Sequence, residues 1–162
     1  MLNSSPPTLA EFQRAAALLQ DVVQPVPLVP LHRHQGDSNV LLKTEIYQPV
    51  HSFKIRGVWY AVASLDGQRR QAGVSTVSAG NTAQALAWAA HRFGVPARSL
   101  MPDSAPAIKI QAVEAYGGEP VLVPVDELFR YLREQLWEQE PYAFIHPWTN
   151  RDVLIGHGTI GL

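Results

Sequence analysis

From Val50 onward, short β-rich runs alternate with amphipathic stretches of helical length, and this alternation restricts the fold more than any other property of the chain. Ile55, Val58, Val62 and Leu65 recur at helical spacing, with Asp66-Gly67 expected to close that helix. Gly73 to Ser78 reads as a strand, and Asn81 to Phe93 as an alanine-rich helix stopped by Gly94 and Pro96. A strand over Ala97 to Met101 precedes a helix opened by Pro106 and closed by Gly117-Gly118, the usual Pro-first, Gly-last asymmetry. Pro120 to Pro124 is a further strand. Asp126 is then expected to cap a helix reaching about Gln139, and Tyr142 to Ile145 closes the series as a strand. Strands separated by single helices build βαβ units with right-handed crossovers. The expected fold class is therefore a three-layer α/β/α domain around a parallel sheet.

The flanking segments read differently. Thr8-Leu9-Ala10-Glu11 is a capping box, in which hydroxyl and carboxylate satisfy the free N–H groups of a helix start. Leu9, Phe12, Ala16 and Leu19 continue it at helical spacing. Pro25, Pro27 and Pro30 then impose extended backbone, followed by a turn at Gly36-Asp37-Ser38-Asn39 and a β-rich run from Val40 to Ile46. Asn150 starts a last helix.

Composition narrows the class of partner. With 13 Lys and Arg against 14 Asp and Glu, the net charge of −1 offers no bulk attraction for nucleic acid or an anionic membrane. No apolar run approaches the roughly 20 residues of a membrane span, and the start shows neither a basic nor an apolar leader region. The absence of cysteine excludes disulfides and thiolate zinc sites and suits a cytoplasmic protein. His32 and His34, with Asp37 nearby, lack a visible third ligand and read as loop, so no metal is expected.

In open α/β sheets ligands collect beyond the carboxyl ends of the strands. Two junctions at such positions carry unusual residues. In His51-Ser52-Phe53-Lys54-Ile55-Arg56-Gly57, Lys54 opens a helix, where the peptide dipoles disfavour a cation. A lysine whose neutral amine is accessible condenses with aldehydes and later acts as a base. Taken by itself, Lys54 reads first as an ordinary solvated lysine. In Ser78-Ala79-Gly80-Asn81-Thr82, successive backbone N–H groups at a helix start suit a carboxylate or phosphate, although plain helix capping explains the same residues.

Together the two junctions resemble one family. Gln48-Pro49-Val50-His51-Ser52-Phe53-Lys54-Ile55-Arg56-Gly57 and Ser78-Ala79-Gly80-Asn81-Thr82-Ala83-Gln84 are similar to motifs of the fold-type II pyridoxal-phosphate enzymes. These are the tryptophan synthase β-like fold, and the nearest group is that of threonine dehydratase and serine racemase. Met101-Pro102, Ala105-Pro106-Ala107-Ile108-Lys109, Gly117-Gly118-Glu119, His146-Pro147 and Gly156-His157-Gly158-Thr159-Ile160-Gly161 follow in family order. The resemblance implies that Lys54 carries pyridoxal phosphate as a Schiff base and removes the Cα proton. It implies that Phe53 lies beside the cofactor ring and that Asn81 binds its ring hydroxyl. It further implies that Ser78, Gly80, Asn81 and Thr82 hold the substrate carboxylate. The expected reaction is elimination of water from threonine or serine to give a 2-oxo acid and ammonia.

Three residues depart from the family pattern. Ala79 stands where racemases place a second serine, which favours elimination over racemisation. Thr82 replaces the usual histidine, and His157 the usual glutamine. The family's glycine-rich phosphate loop lies further along than Leu162, so the resemblance implies the N-terminal part of an enzyme. Residues 1–49 are then the first segment of a large domain, 50–146 a small α/β domain, and 147–162 the return to the large domain. Self-association through those flanks is expected, as a homo-oligomer. A non-catalytic fragment or half-enzyme needing a second chain is the alternative, followed by a β-replacement enzyme or racemase.

Overall fold

The computed structural model describes residues 5–31 and 40–162. The His32 and His34 pair, Asp37 and the turn at Gly36–Asn39 lie outside the described residues. Helix α1 (Leu9–Leu19) leads into an antiparallel pair, β1 (Leu28–Pro30) and β2 (Leu41–Lys43), in which Val29 faces Leu42. Then follow α2 (Lys54–Ser64), α3 (Gly67–Gln71), β3 (Val74–Val77), α4 (Asn81–Phe93), β4 (Ala97–Pro102), α5 (Ala107–Ala115), β5 (Glu119–Val123), α6 (Val125–Arg133), β6 (Ala143–Phe144) and α7 (Arg151–Gly158).

Strands β3 to β6 form a parallel sheet in the order β5-β4-β3-β6. Chain direction across it explains the layers. From β3 to β4 to β5 the chain moves one way, and right-handed crossovers place α4 and α5 on one face. From β5 it returns past both neighbours to β6, so the same handedness places α6 on the opposite face. The packing agrees with this. Val74 and Ala97 join Ala85, Leu86 and Ala89 in one core, whereas Val77 and Leu100 join Leu128 and Tyr131 in another. The side-chain period of two along each strand divides the cores. The fold is the three-layer parallel α/β arrangement read from the alternation.

Helix α2 packs against α4 and more extensively against α7. The α2–α7 crossing is possible because both helices present glycine. A Cβ on Gly57 would collide with the His157 ring and the Val153 carbonyl, and one on Gly156 with the Arg56 carbonyl and Gly57 Cα. Beside this contact, buried Arg56 donates to both carboxylate oxygens of Glu45 (2.9 and 2.8 Å) and to Thr159 Oγ1 (3.3 Å). Helix α1 docks on α7 through Glu11, whose carboxylate accepts from Arg151 Nη1 at 2.6 Å and completes the Thr8 capping box. These bonds, first that from Arg151, hold the Glu11 carboxyl down to about 2.

Several sequence expectations need correction. In α1 the buried residues are Ala15 and Leu19, while Leu9 is 61% exposed. The helix meets α7 through Glu11, on Arg151, and through Phe12, whose ring lies over Gly158. The β-rich run at Val40 to Ile46 is shorter, giving way to a 3₁₀ turn at Glu45–Tyr47. Asp66 closes nothing; its carboxylate caps α3 by accepting from Arg69 N at 2.9 Å. Helix α6 starts after Pro124 and ends at Arg133, not at Gln139. Gln135 adopts a left-handed φ of 55°, and a 3₁₀ turn at Leu136–Gln139 lets Trp137 stack on Phe144 of β6 at 4.4 Å. Aromatic packing against the sheet edge outweighs helical continuity there. Among the described residues no helix is long and apolar enough to cross a membrane.

The glycine crossing makes a stability prediction. Gly156→Ala should lower the free energy of unfolding by about 2–3 kcal/mol in urea titrations, the usual cost of overpacking. Gly67→Ala, at a helical position with nothing within 4 Å of the new methyl, should instead raise it by about 0.5–1 kcal/mol.

Candidate active site

Lys54 is the first residue of α2, and the turn before it is tightly built. His51 takes a left-handed φ of 54°, with its N–H on Gln48 O at 2.8 Å. That turn sends Val50 and Ser52 inward and leaves Phe53 at the surface, 38% exposed. The Ser52 hydroxyl accepts from Lys54 N at 3.2 Å, which starts the helix. Lys54 Nζ lies 4.5 Å from the centre of the Phe53 ring. Among the described residues no carboxylate or hydrogen-bond acceptor takes this amine.

His157 reaches the same place from α7. Its ring meets Phe53 edge-on, centroids 5.0 Å apart. One ring nitrogen bonds to the Val153 carbonyl, while Nε2 is buried without a partner among the described residues. Burial first, then the positive charge of Lys54, pushes the imidazole down to about 4, partly offset by the Val153 bond. A neutral ring with a bare lone pair therefore stands beside Lys54 and Phe53.

The second group occupies the β3–α4 turn. Ser78 N donates to Leu100 O at 3.0 Å, extending the β3–β4 ladder, and Ser78 Oγ accepts from Gly80 N at 3.2 Å. Helix α4 then starts without a side-chain cap, so its first N–H groups face the turn. Asn81 is exposed and its Oδ1 accepts from Lys109 Nζ at 2.9 Å. Thr82 is buried in the first turn of α4. The strand order reverses at β3, so this turn opens at the switch point of the sheet.

The structure thus assembles the sequence-read residues into two clusters: Phe53 and Lys54 on α2, and Ser78, Gly80, Asn81 and Thr82 before and within α4. No hydrogen bond joins the clusters among the described residues. Sequence reasoning missed the parts played by His157 and Lys109. Both lie inside family-like motifs, but only packing brings them to Phe53 and Asn81. A cleft of about 760 Å³ lined by Gln68, Arg69, Trp137, Glu138, Glu140 and Tyr142 contains none of these residues. Among the described residues no three His, Asp or Glu side chains are grouped to hold a metal.

The family model described as pyridoxal-phosphate dependent enzyme matches residues 19–162. The chain belongs to the pyridoxal-phosphate-dependent enzyme family. It is 36% identical to the biosynthetic L-threonine dehydratase of Pasteurella multocida, over 99% of this chain and 32% of that protein. Identity to threonine dehydratase 1 of Solanum lycopersicum, described as biosynthetic and chloroplastic, is 40% over 88% of this chain and 24% of that protein. Among solved structures, the processed form of threonine deaminase isoform 2 from Solanum lycopersicum superposes with a TM-score of 0.78 and 31% identity, over 98% of this chain and 46% of that one. Maize serine racemase gives a TM-score of 0.83 at 28% identity, over 96% and 48%. The chain spans about a third of the bacterial curated relative, less of the plant one, and about half of the solved chains.

The residues present suit the aldehyde end of pyridoxal phosphate. That end requires a primary amine free to condense, which Lys54 supplies, and an aromatic surface beside it, which Phe53 supplies at 4.5 Å from the amine. The orphaned Nε2 of His157 is a further buried acceptor beside the amine.

His157 makes the stability of the chain pH-dependent. The unfolded imidazole takes up a proton near pH 6.5, but the folded one only near 4. Stability from the neutral ring is complete above pH 6.5 and is lost as pH falls from 6.5 toward 4. Urea midpoints should show a loss of roughly 2–3 kcal/mol over that window that is absent in His157→Gln. His146, also lowered by burial, leaves a smaller slope of the same sign in both proteins.

Proposed function

We propose that this chain carries the amine and substrate-binding part of a hydroxy-amino-acid ammonia-lyase, which eliminates water from threonine or serine. The observation that carries the reading is the Lys54 amine at the start of α2, against Phe53 and without a hydrogen-bond or ion-pair partner among the described residues, in a family of pyridoxal-phosphate enzymes. The threonine dehydratases among its relatives support the substrate class. Pyridoxal phosphate, when bound, supplies an electron sink for the pair released from Cα. Lys54 holds the cofactor and, once free, takes the Cα proton on Nζ. The backbone and side chains of Ser78, Gly80, Asn81 and Thr82 hold the substrate carboxylate, and Asn81 also donates to the cofactor's ring hydroxyl. Phe53 covers the ring and excludes water. The Cα–H and Cβ–O bonds break, water leaves, and the released enamine tautomerises and hydrolyses to a 2-oxo acid and ammonia. Ala79 has no group to return a proton from the other face, which favours elimination over racemisation.

A second reading is a half-enzyme that needs further chain or a partner for activity. It is favoured by apolar side chains left exposed along β1, β2 and the turn after them: Leu28, Leu41, Ile46 and Tyr47. On either reading we take residues 50–146 as a small α/β domain and 1–49 with 147–162 as parts of a larger one. We also take the chain to be cytoplasmic and to self-associate through that apolar face, which light scattering would detect as a dimer or larger species.

Two measurements test the function. Adding pyridoxal phosphate should produce a visible absorbance band in the wild-type chain that Lys54→Ala lacks. Threonine should then yield 2-oxobutanoate at a rate at least about 10³-fold above that of Lys54→Ala. A band without turnover selects the half-enzyme reading, and no Lys54-dependent band refutes the assignment of Lys54.

A further inference from the structure

The β3–α4 turn is crossed by a side chain that the proposed reaction does not use. Lys109 lies in the first turn of α5, fixed by its N–H on Pro106 O at 2.8 Å. Its stem runs over Gly80: a Cβ placed there would meet Lys109 Cδ, Cε and Cγ at 3.8–4.0 Å, ordinary contact distances. Its ammonium ends 2.9 Å from Asn81 Oδ1.

That contact settles the direction of the Asn81 amide. An ammonium only donates, so the atom facing Lys109 must be the amide oxygen. The other branch, Nδ2 with two N–H donors, is then turned away from Lys109. One of the three ammonium hydrogens is used by Asn81, and among the described residues no carboxylate neutralises the charge. Next to it α4 begins without a side-chain cap. A fixed amide donor, uncapped backbone N–H groups and an unneutralised cation thus converge on one turn. Thr82, buried in α4, supplies no charge there.

We propose that Lys109 is a positioning residue for the 78–82 turn: it fixes Asn81 as a donor and supplies the positive charge that makes the turn select a carboxylate over a neutral group. This rests on reading the turn as the carboxylate site. A lysine that merely ties α5 to α4 would act through its stem and not through its charge, and that difference makes the proposal testable.

The experiment needs no bound cofactor. Backbone and Asn81 side-chain amide resonances of the ¹⁵N-labelled 162-residue chain are followed during titration with propionate, and with propionamide as its uncharged counterpart. The wild type should show saturable shifts at Gly80, Asn81 and Thr82 with propionate and much weaker ones with propionamide. Lys109→Met keeps the stem over Gly80 and should weaken propionate binding about tenfold. Lys109→Arg should restore it to within about threefold, and urea midpoints should show that all three proteins are folded. Asn81→Asp keeps the contact with Lys109 but replaces the donor by an acceptor, and should abolish the shifts. Equal propionate affinity in wild type and Lys109→Met would overturn the role of Lys109 while leaving the carboxylate site intact. Absence of shifts in the wild type would overturn both. If Lys109→Met proved unfolded, Lys109→Gln tests the same loss of charge, and equal binding by that variant would overturn the proposal.

Discussion

The close crossing of α2 and α7 is the contact on which the candidate site depends. Gly57 and Gly156 let two backbones meet where any larger residue would hold them apart, and Arg56 locks the crossing from one side by its two bonds to Glu45 and its bond to Thr159. A buried ion pair of this kind contributes little net stability, but it penalises every arrangement that leaves one partner unpaired in the interior. Lys54 stands at the start of one of these helices and His157 near the end of the other. The angle of the crossing therefore decides that an imidazole lies against the same aromatic ring as the amine. Helix α1 is carried along, because Phe12 covers Gly158 and Glu11 pairs with Arg151 on α7.

The second cluster depends on topology instead of a single contact. Right-handed crossovers in opposite directions send α4 and α6 to opposite faces, and the reversal falls at β3. The turn after β3 consequently opens beyond the sheet with an uncapped helix start. The crossover through α5 places Lys109 over that turn, since α5 packs beside α4 on the same face.

Much of the sheet was legible in the sequence because local signals and tertiary demands agree. Asn81–Phe93 is a helix over the span that its alanine content and Gly94 stop predicted, and Gly94 closes it with a φ of 66°. Pro106 and Gly117 bracket α5 for similar local reasons. Reading failed where the two levels conflict. The pattern of α6 continues past Arg133, but Trp137 gains more from stacking on Phe144 than from staying in register with its own helix. Leu9 fits a helical stripe, yet the buried residues of α1 are Ala15 and Leu19. Phe129, beside the buried Leu128, is 56% exposed because α6 rests on the sheet through Leu128 and Tyr131.

The sequence by itself determined the βαβ alternation, the capped starts and stops, and the two short motifs that place an amine and a run of backbone donors at helix beginnings. These follow from interactions within a few residues, which a linear pattern records. Only the tertiary structure decided that His157 shares the Phe53 ring with Lys54, and that Lys109 holds the Asn81 amide by its oxygen. Those contacts join residues 104 and 28 positions apart in the sequence. They exist because glycine crossings and crossover handedness fix how whole helices meet, and no local pattern encodes which side chains that meeting brings together.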